Sequence, residues 1–215
     1  MFAELLLANE RAREVIHRGP RRTVGRFASV KMGRMVHWES QLERDLIYQL
    51  EFDRRVLVYQ EQPLSVKLRV DGRPRKYTPD LLIRRADSYD IIEVKPADTA
   101  GKPEWQALFG AAREHFAGLG ANFCVVTDAE IRVQPRLANI VMLLRHQRTT
   151  VDGSVRNAVI HWLRNGAIPL AIIEAELSAL NAGIREIWAL ACAGDIQLGL
   201  DSVIGLDSLI SLPGR

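Results

Sequence analysis

Two apolar runs, LLIRR and DIIEVK, flank a polar segment at residues 86–89, and this pattern predicts a β-hairpin between residues 81 and 95. Upstream, Val66, Leu68 and Val70 alternate with Lys67 and Arg69, the period of a half-buried strand with a basic outer face. Residues 56–62, before Pro63, read as another strand of the same sheet, and residues 71–76 as a turn. Helical spacing appears in residues 2–17 (Phe2, Leu5, Leu6, Ala12, Val15, Ile16), in 40–52 (Leu42, Leu46, Ile47, Leu50) and in 104–119 (Trp105, Leu108, Ala112, His115, Phe116). The run NFCVVT at 122–127 is expected to be a fully buried strand, with a further helix over 135–146. Strand, helix and strand beside a hairpin imply a crossover unit, hence an α/β fold with a mixed sheet flanked by helices.

Residues 149–153 read as a domain boundary. Helical stretches at 154–165, 169–180 and 183–193 follow, then short alternations at 196–200 and 202–206 that are expected to form a wing. Three helices and a ribbon are the outline of a winged helix. The expected organisation is an N-terminal helix and basic arm (1–36), an α/β domain (37–149) and a small, mostly helical, winged-helix-like domain (150–215).

Of the 215 residues, 47% are hydrophobic and 26% charged, as in ordinary globular proteins. No run approaches the roughly 20 apolar residues of a membrane span. Glu4 and Asn9 interrupt the apolar N-terminus where a signal peptide would need a continuous core, so a cytoplasmic protein with no membrane partner is expected. Cys124 and Cys192 lie in apolar segments without zinc-type spacing and read as buried thiols.

The net charge of +3 is unevenly spread: residues 1–37 carry eight Lys or Arg against three Glu, and residues 151–215 carry four against seven acids. Arg18, Arg21, Arg22, Arg26, Lys31 and Arg34 follow one another with no acid between them. A solvated loop and an arm along a DNA backbone both fit that stretch. Arg73, Arg75 and Lys76 would add positive charge beside Tyr77–Asp80. In the tail, residues 183–198 offer Arg185 against Glu186 and Asp195, which favours a protein-docking surface over DNA reading.

The chemistry gathers in the hairpin. Glu93 and Lys95, two residues apart on a strand, leave the same face, and Asp80 at the head of the partner strand can lie beside them. Carboxylates so close repel unless a cation sits between them; a magnesium ion there could polarise a phosphoryl oxygen, with Lys95 holding the attacking water or neutralising the phosphate. Glu43 fits either as the N-terminal partner of a capping box with Ser40 or as a further acidic ligand, with Glu39 one turn earlier as its competitor.

The order PD, spacer, ExK resembles the signature of the restriction-endonuclease-like fold. Taken with Gly25-Arg26-Phe27, the segment 38–43 (WESQLE), Glu61-Gln62-Pro63, Tyr77-Thr78-Pro79-Asp80, Glu93-Val94-Lys95-Pro96 and the segment 127–131 (TDAEI), the chain resembles the TnsA family, endonuclease subunits of heteromeric transposases. The resemblance implies a magnesium-dependent DNA endonuclease, with manganese as a substitute, that cuts the 5′ ends of a transposon. Its implied partners are double-stranded DNA at those ends, a TnsB-like transposase, and a TnsC-like ATPase engaged by the C-terminal region. Carried over by motif, Glu43, Asp80 and Glu93 are the metal-site acids and Lys95 the catalytic lysine; the best-known member has glutamine where this chain has Glu93. DNA contacts are expected at Arg21, Arg22, Arg26, Lys31, Arg34, Arg73, Arg75 and Lys76. A self-sufficient phage- or restriction-type nuclease and a non-catalytic DNA-binding scaffold are the alternatives.

Overall fold

A computed structural model describes residues 1–8, 12 and 23–214 of the chain. They fall into two compact units, residues 1–132 and 133–215.

The first unit opens with helix α1 (Phe2–Ala8); the rest of the helix expected over 2–17, like Arg18, Arg21 and Arg22, lies outside the described residues. Strands β1 (Gly25–Ala28) and β2 (Met35–Trp38) form an antiparallel hairpin inside the stretch read as a loop or arm. Gly25 pairs with Trp38, and a Cβ there would stand 2.2 Å from the indole, so only glycine admits this aromatic cover. The described residues of the expected N-terminal arm therefore belong to the first unit.

Helix α2 (Gln41–Phe52) buries Leu42, Leu46, Ile47 and Leu50, as its spacing predicts, with Ser40 as N-cap. The sheet follows: β3 (Val58–Glu61), β6 (Leu81–Arg84), β7 (Tyr89–Lys95) and β8 (Asn122–Thr127), in the order β3-β6-β7-β8. The first two pairings are antiparallel and β7–β8 is parallel, linked through the short helix α3 (Ala97–Ala100) and α4 (Pro103–Ala117). The one-turn helix α5 (Asp128–Ile131) closes the unit. Period-two alternation sends Leu81, Ile83, Ile92 and Val94 toward α2, and Leu82 and Ile91 toward Phe109, Ala112 and Phe116 of α4.

Two expectations for this unit change. Residues 66–70 are not in the main sheet: β4 (Val66–Val70) pairs with β5 (Arg73–Tyr77) as a separate ribbon, and β5 occupies the segment read as a turn. Asp71 and Gly72, with φ of +48° and +76°, make the two-residue turn that such hairpins prefer. Further, β8 is an edge strand whose residues alternate in exposure, so Cys124 is exposed and not buried.

The second unit contains α6 (Arg136–Leu144), α7 (Gly153–Trp162), β9 (Ile168–Pro169), α8 (Leu170–Ser178), α9 (Ile184–Ala193), β10 (Gln197–Leu198) and β11 (Leu209–Ser211). The strands form a small antiparallel sheet in the order β10-β11-β9, so its last strand lies beyond the expected 202–206. The units divide after Arg132, not near residue 149, because α6 belongs with the helices that follow it. Cys192 Sγ of α9 bonds Leu143 O at 3.2 Å, the Asn139 amide bonds Leu200 O and Ser202 O, and Arg136 pairs with Asp201. With α6 included, residues 133–215 carry seven Lys or Arg and seven acids, so the acidic excess of the tail vanishes over the unit that actually folds.

The aromatic packing under α4 gives the first prediction. Phe116 is fully buried and stacks on Phe123 at 6.2 Å. Phe116→Ala is expected to cost about 3–5 kcal/mol in urea unfolding; a loss under about 1 kcal/mol would mean that this ring is not a keystone of the core.

Candidate active site

Asp80 directly precedes β6, and its N–H donates to Ile92 O at 3.1 Å, continuing the pairing of Leu81 with Ile92. That register places Asp80 beside Glu93 on the face toward α4, with Lys95 two residues further along the same face. One Asp80 oxygen accepts the Val94 N–H at 2.7 Å, so the backbone of β7 fixes the carboxylate. Glu93 is buried; one oxygen accepts the Tyr77 hydroxyl at 2.6 Å and the other lies 2.5 Å from Lys95 Nζ. The same ammonium stands 4.0 Å from Asp80 and 4.9 Å from the centre of the Trp105 ring.

These residues line a cleft of about 730 Å³ at one end of the sheet. Glu39 and Glu43 from the start of α2, Gln62, and Arg75 and Lys76 of β5 reach the same cleft. Glu43 serves as a cap: one oxygen accepts the Ser40 hydroxyl at 3.0 Å, the other the Glu39 N–H at 2.8 Å, and its own N–H donates back to Ser40. The Gln62 amide donates to Glu39 at 2.5 Å. Glu43 is held by its capping bonds and shares the cleft with Asp80 and Glu93, its charge acting on both Asp80 and Lys95.

The electrostatics follow from crowding. Burial, and then the Glu93 charge, raise the Asp80 pKa well above the usual carboxylate range, against the pull of Lys95. Burial and the charge of Glu39 also raise Glu43, against its two hydrogen bonds. Burial disfavours charge on Lys95, but Asp80 and Glu93 outweigh it and raise its pKa. Burial and the Glu93 carboxylate push the Tyr77 hydroxyl upward, keeping it a donor. The motif spacing brought out Asp80, Glu93 and Lys95 but not Tyr77. Its signal was present: an aromatic residue three positions before Asp80, closing a two-residue hairpin begun at Asp71-Gly72.

The expected DNA contacts separate by burial. Arg26, Arg73, Arg75 and Lys76 are exposed. Lys31 turns inward: its Nζ donates to Leu50 O at 2.5 Å and Asp53 O at 2.6 Å, capping the end of α2. Burial lowers its pKa to about 8, although Glu51 and Asp53 partly oppose this. Arg34 forms a two-bond fork with buried Glu61, at 2.9 and 2.7 Å. Neither cation is free for a phosphate, because each already serves the β1–β2 hairpin. The same hairpin loop is pinned by Glu51, which accepts from Ser29 Oγ, the Val30 and Lys31 N–H groups and Tyr59 OH.

Residues 53–128 match the family model described as TnsA-like endonuclease N terminal, a segment that contains Asp80, Glu93 and Lys95 but not Glu43. No curated protein matches the chain.

The Arg34–Glu61 fork carries a pH prediction. Burial by itself would raise the Glu61 carboxyl, but the bonds from Arg34 and the His37 N–H hold it below its ordinary value of 4.5. The unfolded chain then binds this proton more tightly, so ionised Glu61 stabilises the fold above that value, and the contribution is lost as pH falls through the lower folded one. Urea midpoints taken from neutral to about pH 3 should fall across this window. Glu61→Gln should be less stable at neutral pH and show a flatter acid limb; an unchanged limb would remove Glu61 as a source of the slope.

Proposed function

We propose, from the TnsA-like endonuclease N-terminal domain in residues 53–128, that the chain is a metal-dependent DNA endonuclease subunit of a transposase, hydrolysing phosphodiesters at the 5′ ends of a transposon. The observation that carries this reading is the meeting of Asp80, Glu93 and Lys95 in one cleft of that domain. A restriction-endonuclease-like arrangement is the matching fold, with β6 and β7 as its catalytic strands. The partners implied are a TnsB-like transposase and a TnsC-like ATPase. We assign the latter to residues 133–215, whose three helices α7–α9 and sheet β10-β11-β9 we read as a winged-helix-like unit.

The donor set suits magnesium. Asp80 and Glu93 offer hard oxygen ligands, and magnesium is commonly held by one or two carboxylates, the rest of its shell being water and substrate phosphate. Bound there, the ion would supply Lewis-acid polarisation of the phosphoryl oxygen and a more acidic water, with manganese able to substitute. The chain's own residues set up the rest. Tyr77 fixes one Glu93 oxygen, and Lys95 pairs with the other. Val94 N–H fixes one Asp80 oxygen. Lys95, cationic between the two acids, donates toward the scissile phosphate or the attacking water and offsets charge that builds up on the phosphoryl oxygens. Glu43 can join as a third acid through lone pairs that its bonds to Ser40 and Glu39 leave open.

Nicking of supercoiled plasmid in magnesium and in manganese, with and without a transposase and its transposon ends, tests the reading. Asp80→Ala, Glu93→Ala and Lys95→Ala should each lower the rate by at least about 10²-fold, while Glu43→Gln should cost less. Activity that survives Asp80→Ala and Glu93→Ala would sink the assignment. Defined cutting of one sequence by the chain alone would favour a self-sufficient nuclease instead.

A further inference from the structure

The ribbon β4–β5 carries a charge pattern that its own stability does not explain. Lys67, Arg69, Arg73, Arg75 and Lys76 are all exposed, and among the described residues no carboxylate forms an ion pair with any of them. Elsewhere in the same unit five arginines are matched: Arg34 with Glu61, Arg44 and Arg132 with Asp45, Arg55 with Asp53, Arg85 with Asp53 and Asp90; the exposed Arg26, Arg54, Arg84 and Arg113 form no such pair among the described residues, but they are scattered and not gathered on one ribbon. The register also sets Lys67 directly across from Lys76, a like-charge cross-strand pair of the kind that weakens a sheet. Arg69 lies opposite Pro74, so this outer face holds three cations and a proline.

The ribbon is nonetheless firmly seated. Leu68 and Tyr77 are buried in the core under α4, with Val66 and Val70 packed against it. Its last residue, Tyr77, holds Glu93, and Arg75 lies 5.8 Å from the centre of the Trp105 ring that Lys95 also faces. A row of unmatched cations on a rigid element that ends at the cleft is complementary to a polyanion entering that cleft.

We infer that the β4–β5 ribbon is a phosphate-gripping rail, with Lys67, Arg69 and Lys76 on the backbone of duplex DNA beside the strand to be cut. The inference rests on the nuclease reading above and adds Lys67 and Arg69 to the DNA-contacting set. Lysine and arginine aimed at phosphates position a duplex without reading its sequence, so the rail sets register and leaves site choice to other contacts.

The test measures binding of the full chain to a fluorescent duplex of arbitrary sequence by anisotropy, in EDTA so that no cleavage intervenes, across a salt series. Lys67→Gln, Arg69→Gln and Lys76→Gln together should reduce the slope of log affinity against log salt by about 2.7, roughly 0.9 per lost phosphate contact. Arg54→Gln with Arg84→Gln, near the end of β6 remote from Asp80, should leave it unchanged. Lys67→Glu adds a second readout: facing Lys76, it should raise the thermal midpoint while weakening DNA at least tenfold. A triple variant with the native slope, a control that loses as much, or a Lys67→Glu chain that binds as tightly as the native one would overturn the rail. These results would leave plasmid nicking intact, whereas failure of the nuclease reading shows as absent nicking with duplex binding preserved. A native chain that binds no duplex at all overturns both.

Discussion

Two carboxylates on adjacent strands impose the constraint around which the first unit is arranged. Their crowding shows in the Asp80 carboxyl, which burial and then the Glu93 charge raise well above the ordinary range. The fold meets it with three specific groups. The Val94 N–H takes one Asp80 oxygen, the Tyr77 hydroxyl takes one Glu93 oxygen, and Lys95 stands against both acids. Each group comes from an element whose placement is fixed by apolar packing: β7 between its two neighbours, β5 by Leu68 and Tyr77 under α4, and Lys95 by the alternation that buries Ile91.

Periodicity made much of this legible. The 3.6-residue spacing of Leu42, Leu46 and Leu50 located α2, and the alternation of Leu81 to Lys95 located β6 and β7, hence the proximity of Asp80 and Glu93. The ribbon strand β5 was illegible for a physical reason. Its residues Arg73, Pro74, Arg75 and Lys76 are all exposed, so it has no hydrophobic alternation, and its strand character comes from Asp71-Gly72 and from the pairing to β4. The edge position of β8 was hidden as well, since an apolar run does not say how many neighbours a strand has. The division after Arg132 depends on contacts from α6 to residues 184–202, far along the chain, and no local composition reports them.

Charge was legible in sign but not in use. Lys31 and Arg34 look in sequence like Arg26, yet their partners lie about twenty to thirty residues away, at Leu50, Asp53 and Glu61. Once buried, each serves the hairpin that shelters the start of α2. Lys67 and Arg69, by contrast, looked like the solvated face of a half-buried strand. The structure changes their meaning by placing Lys76 across from Lys67 and, among the described residues, no carboxylate in an ion pair with any of them. A cation acquires a role when its surroundings either neutralise it or conspicuously fail to.

That distinction separates two kinds of basic residue in the first unit and bears on how cutting would be confined. Lys31 and Arg34 tie the β1–β2 hairpin to α2 and β3, while Arg75 and Lys76, in no ion pair among the described residues, line the cleft with Asp80 and Glu93. On the proposed reading, acids that need a metal ion, entered along phosphate contacts that read no bases, would have little intrinsic selectivity of their own. Selectivity then has to be supplied by whatever presents the DNA, which is the physical sense in which such a catalytic unit suits a subunit's role better than a free nuclease's. The neutral balance of residues 133–215 agrees with this, since a unit with seven cations and seven acids offers no excess positive charge for holding a duplex by itself.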